Sequence, residues 1–214
     1  MAEPHDYFKR HQNEGWLIAH IEFLLSEAKI EMSSSSVLYA AFETRNLIEK
    51  ICYDLIRMSA NETEWEEIER TAKGRNGIDK ANSKYKSLKL KIQTFSEQVA
   101  RMATLPIKAL NYSIADDFVN RLADYIHTYT RTQADMNFAS DFIQNGILLV
   151  EESLKFIKNY FTIQKGEYVY GIIKPKTLTD SYKTEFESWK SSTSTDTEAL
   201  YSRLVEINKT EPLN

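Results

Sequence analysis

The spacing of Tyr85, Leu88, Ile92, Phe95, Val99 and Met102 constrains this chain more than any other feature. The intervals alternate between three and four residues, so six large apolar side chains line one seam of an α-helix. A strand would scatter them over both of its faces. Such a seam should pack nearly antiparallel to another long helix.

Helical spacing recurs along the chain. Leu17, Ile21, Leu24, Leu25 and Ala28 mark a buried stripe on a helix over residues 7–31, with His20 packed beside it. A serine run ending at Ser36 caps a second, strongly apolar helix over 36–59. Thr63-x-x-Glu66 is a capping-box pattern for a shorter helix over 61–73, with Gly74 as its stop and Arg75-Asn-Gly77 as a turn. The seam helix follows over 79–102 and breaks at Leu105-Pro106. Ser113 then caps a helix over 114–129, buried through Ile114, Phe118, Leu122 and Ile126. A polar connection over 128–135 leads to a last core helix over 138–161, whose stripe includes Gly146. A glycine there weakens the helix and implies a close approach by a neighbour. With only 6 Gly and 4 Pro in 214 residues, little in the chain supports a turn-rich sheet protein. The expected fold is all-α, an antiparallel up-and-down bundle of about five main helices.

The pattern changes after Lys165, where residues 166–175 are β-prone and aromatic. Two modest helices follow, over 180–190 and 196–207, docked through Tyr182, Phe186, Trp189, Leu200, Leu204 and Ile207. The expected division is a bundle over 1–163 and a C-terminal extension over 164–214, mobile across 191–197.

Charge and composition narrow the function classes. A net charge of -4 gives no global basic field for nucleic acid. The single cysteine, Cys52, allows neither an intrachain disulfide nor a cysteine-built metal site. No stretch reaches the ~20 apolar residues that cross a bilayer. The expectation is a cytoplasmic protein with no membrane partner, no cofactor and no metal. The acidic run Glu62, Glu64, Glu66, Glu67 and Glu69 reads as a solvated face beside a helix N-terminus.

Three groups of charged residues remain as candidates. On the second helix, Glu43, Lys50, Asp54 and Arg57 share a sector that should face solvent. Arg45 and Glu49 point the other way, among Leu38, Phe42, Cys52 and Ile56. One turn apart, they can pair and tie helices together, or line a cleft or dimer interface. The stretch from Lys73 to Lys91 is locally basic. A solvated face accounts for it, and Lys80, Lys84 and Lys91 are the candidate phosphate contacts. The third group is Arg121 and His127. A histidine titrates near neutral pH and can move protons, and an arginine can stabilise charge building on a phosphate. On one regular helix, six residues differ by about 240° of rotation and ~9 Å of rise. The two side chains would converge only through a break in the helix or a second chain. Alternatively, Arg121 makes a flank ion pair with Asp117 or Asp124, and His127 complements a helix C-terminus.

Glu43-Thr-Arg45 with Glu49 on an apolar second helix, Leu122-Ala-Asp-Tyr-Ile-His127, and a long final amphipathic helix together resemble the HEPN superfamily (higher eukaryotes and prokaryotes nucleotide-binding). The resemblance covers about residues 7–162. It implies a helical bundle with two long antiparallel helices. In catalytic members an Arg precedes a His by four to six residues, and Arg121-x5-His127 has that spacing. Those members usually carry a polar residue directly after the Arg, where this chain has Leu122. The resemblance implies an RNA-directed protein, a metal-independent endoribonuclease of the defence or toxin type acting as a homodimer, with Arg121 and His127 as catalytic residues. Its alternative is a non-catalytic binding or dimerisation module.

Overall fold

A computed structural model describes residues 14–60, 62–73, 80, 84–104, 110–164, 167–170 and 178–213. Helices dominate them. In chain order they are α1 (Glu14–Glu31), α2 (Ser34–Ser59), α3 (Glu62–Lys73), α4 (Lys86–Ala103), α5 (Tyr112–Ala123), α6 (Asp141–Lys158), α7 (Asp180–Ser191) and α8 (Thr197–Thr210). Part of the β-prone stretch, β2 (Glu167–Tyr170), pairs with β1 (Phe161–Gln164), which precedes that stretch, in a two-stranded sheet. The expected Gly74 stop, the turn at 75–77 and the Leu105-Pro106 break lie outside the described residues, as do residues 7–13 of the first expected helix.

The contacts gather into two compact units, each discontinuous in sequence. Residues 1–50 and 113–169 form one; residues 51–112 and 170–214 form the other. This is not the expected division at residue 163. The seam explains the difference. Ile92, Phe95 and Val99 are buried, but their partners are Tyr182, Phe186 and Trp189 of α7 and Leu200 and Leu204 of α8. Phe95 and Phe186 meet edge to face at 5.0 Å. The C-terminal helices therefore complete the α4 core instead of decorating a finished bundle. The segment between them is tied down too: Lys91 Nζ donates to Ser194 O at 2.6 Å and to Ser192 Oγ at 3.2 Å. A smaller cluster of Ile56, Ala60 and Ile68 packs with Trp65 and Tyr85 in the same unit.

In the first unit, α1 and α2 form a hairpin. Met32 takes a left-handed conformation (φ 51°) after α1, which turns the chain. Ser33, not Ser36, begins α2: its hydroxyl accepts from the Ser36 amide at 3.2 Å. Lys50 Nζ reaches Glu14 at 2.5 Å, joining the far end of this half of α2 to the start of α1. Ion pairs Lys29–Glu151 and Lys158–Glu22 link α1 to α6 in opposite directions, so these two helices run antiparallel. His20 stacks on Trp16 at 4.9 Å, a packed position as expected.

Three placements on α2 and α4 correct the helical wheel. Glu43, expected in solvent, is only 7% exposed, whereas Phe42, expected in the packed sector, is open to solvent. Lys89, counted with the basic face, is 1% exposed, and its ammonium lies 5.2 Å from the Tyr112 ring centre. A buried ammonium is tolerated only with favourable partners, and an aromatic face is one.

Candidate functional site

Helix α5 ends at Ala123, six residues short of the expected stop at 129. The amides of Asp124, Tyr125 and Ile126 bond three residues back, to Arg121, Leu122 and Ala123, so the α-helix tightens into turns. His127 then opens a 3₁₀ turn, Thr128–Thr130. The apolar spacing through Ile126 had suggested an uninterrupted helix. Burial explains the pattern without one: Tyr125 enters the core from the turn.

Tyr125 anchors a column of planar groups. Its ring lies against the backbone of Gly146 on α6, where a Cβ would stand 2.6 Å from Tyr125 Cε1. Phe142 stacks on that ring, with centroids 4.6 Å apart and planes 14° from parallel. Arg131 covers Phe142, its guanidinium carbon 4.2 Å from the ring centre. Burial raises the Tyr125 phenol pKa, so the ring stays neutral through the physiological range.

The loop carrying Arg131 is held by its own side chains. Asp135 accepts from the Thr132 amide at 2.9 Å and hydroxyl at 2.8 Å. Those two bonds hold its carboxyl below the ordinary range. Ser140 caps α6, accepting from Ile143 N, and donates back to Asp135 O at 2.5 Å. From this braced loop Tyr129 projects at 84% exposure, with His127 edge-on to it at 6.2 Å.

Arg121 sits on the exposed side of α5, where the flank ion pair expected with Asp117 forms at 3.5 Å and a second, with Glu152 of α6, at 3.6 Å. No hydrogen bond or ring contact joins Arg121 to His127 among the described residues. Arg45 and Glu49 do come together, Nε to Oε1 at 2.8 Å, on the partly buried side of α2. Of the candidate phosphate contacts, Lys84 is engaged by Glu67. Lys91 lies on the Trp189 face at 3.8 Å in addition to its serine bonds, and burial lowers its pKa. Lys80 is exposed.

An open groove of about 580 Å³ lies between α1 and α6, floored by Leu25 and Leu154 and rimmed by the Lys29–Glu151 and Lys158–Glu22 pairs and Lys155. It is lined by none of the candidate residues. Among the described residues, no cluster of His, Cys, Asp or Glu could hold a metal ion, and no helix is long and apolar enough to cross a membrane.

Tyr129 and Arg131 were not among the candidate residues, because residues 128–135 look like a plain polar connection. The available signal was the interleaving of aromatic and basic residues in Tyr125-Ile-His-Thr-Tyr-Thr-Arg131. Compared with known proteins, the chain matches no family model, no curated protein and no solved structure.

Proposed function

We propose that this chain is a HEPN-like, RNA-directed protein, with an antiparallel helical bundle as its scaffold and the α5 end and following loop as its RNA-facing surface. The observation that carries the reading is the early stop of α5 at Ala123. His127 leaves the regular helix there, its amide still bonded to Ala123 O at 3.2 Å, and both residues are exposed to a second chain. In this reading cleavage requires a homodimer, with His127 of one chain acting beside Arg121 of the other. The imidazole takes the proton of an RNA 2′-hydroxyl, the 2′-oxygen attacks phosphorus, and the P–O5′ bond breaks as the 5′-oxygen takes a proton from water. Arg121 stabilises the extra negative charge on the phosphoryl oxygens. The products are a 2′,3′-cyclic phosphate and a 5′-hydroxyl. A toxin or defence role in the cytoplasm follows from the same resemblance.

The test is cleavage of single-stranded RNA by the purified chain in excess EDTA, compared with Arg121→Ala and His127→Ala. Loss of cleavage in both variants supports the reading. Cleavage that survives both substitutions overturns it.

One observation favours a second reading, a non-catalytic RNA-binding or dimerisation module. Asp117 and Glu152 already neutralise Arg121. That reading expects salt-dependent RNA binding without turnover.

A further inference from the structure

The geometry points to the loop after α5 as a preformed stacking platform for unpaired nucleobases, with Tyr129 and Arg131 as its two stacking groups. The inference rests on the RNA-directed reading and names the form of RNA: single-stranded, bound through base faces.

Three observations converge. First, Arg131 is a planar cation held against an aromatic ring. Its guanidinium carbon lies 4.2 Å from the Phe142 ring centre, and Phe142 stacks in turn on Tyr125. The residue as a whole remains exposed. Bases stack on such planes as well as on aromatic rings.

Second, Tyr129 is 84% exposed, an unusual position for a large ring with no packing to gain. His127 meets it edge-on, a contact that limits how the ring turns. Two residues along the chain can span at most about 7 Å, so Tyr129 and Arg131 lie within the reach of neighbouring bases of one strand.

Third, the loop is ordered before any ligand arrives. Thr132 and Asp135 bond reciprocally, and Ser140 ties Asp135 to the start of α6. A rigid loop forfeits less freedom on binding, which favours an exposed stacking site. Positive charge from Arg131 suits the backbone, while a duplex hides its base faces and would gain only that charge.

The experiment is fluorescence anisotropy with labelled 2′-O-methyl oligoadenylate, 12 nucleotides long, alone or annealed to oligouridylate. The 2′-methyl group prevents turnover from consuming the probe. The single strand is expected to bind at least about tenfold tighter than the duplex. Tyr129→Ala should weaken single-strand binding about 5- to 150-fold with the salt dependence unchanged. Tyr129→Phe should retain it. Arg131→Lys keeps the charge but loses the plane, and should weaken binding with the same salt slope. Unchanged melting temperatures would establish that each variant is folded. Equal affinity for strand and duplex, or parental affinity in both Tyr129→Ala and Arg131→Lys, would overturn the platform. RNA cleavage dependent on Arg121 and His127 alongside that parental affinity would overturn the platform alone. Tyr129-dependent binding with no cleavage of unmodified RNA would overturn catalysis and leave the platform standing. No binding by the parent chain would overturn both.

Discussion

The ring of Tyr125 lies so close to Gly146 that a single added methyl group would stand 2.6 Å from its Cε1. Gly146→Ala should improve helix propensity by about 1 kcal/mol. The clash outweighs that gain, because the Tyr125 ring is buried and stacked on Phe142, and Val37 Cγ1 also stands 3.2 Å from the new atom. A net loss of about 1–3 kcal/mol is expected in urea denaturation. Tyr125→Ala in the same chain should absorb most of the added penalty, and a double-mutant cycle showing simple additivity would contradict this origin.

Arg121→Ala should change stability by less than about 0.5 kcal/mol. Its ion pairs are exposed and stretched to 3.5 and 3.6 Å, the kind that contribute little. Any loss of RNA binding or cleavage in this variant can therefore be read as functional. Thermal melting beside the activity assay checks it.

Glu49→Gln should be costlier, by about 1–3 kcal/mol, because it removes the carboxylate charge that the partly buried Arg45 meets at 2.8 Å. Replacing both with Met should recover part of the loss. Chemical denaturation of the two variants distinguishes this pair from a surface pair, for which both would be near zero.

Acid should loosen the loop after α5. The Asp135 carboxyl is held low by Thr132, so its folded pKa lies below its unfolded one. The stabilisation is present in full above the unfolded value of about 3.9 and is lost as pH falls through the depressed folded value. Hydrogen exchange at Thr132 should stay protected at pH 5 and open at strongly acidic pH. Asp135→Asn should show the open exchange rate already at pH 5.

Phe186→Ala should cost about 3–5 kcal/mol, since it opens a cavity against Phe95 at the centre of the second unit's core. A change under about 1 kcal/mol would mean that α7 and α8 are an appendage after all. Calorimetry of the full chain gives the answer.

The helices were legible because apolar spacing is a local property, and α1, α4 and α6 follow it closely. Which element covers a stripe is not local. The seam of α4 announced a buried face, yet nothing in Tyr85 to Met102 says that α7 and α8 cover it. Glu43 failed for the same reason: a wheel gives an angle, and burial depends on what is packed there. The end of α5 was hidden because Ile126 continued the apolar interval and no Gly or Pro marked the stop. Arg45 and Glu49 were readable because four-residue spacing on one helix fixes their meeting. The stacked column was not, since it draws on Tyr125, Arg131, Phe142 and Gly146 from three successive segments.

The discontinuous second unit has a consequence in time. During synthesis the apolar seam of α4 emerges first, and Leu204 follows about a hundred residues later, roughly 5–20 s at ~5–20 residues per second. For that interval Ile92, Phe95 and Val99 lack their final cover. A nascent chain in that state offers a sticky helix to chaperones or to other nascent copies. Pausing the ribosome between α6 and α7 should prolong that exposure and lower the yield of soluble protein.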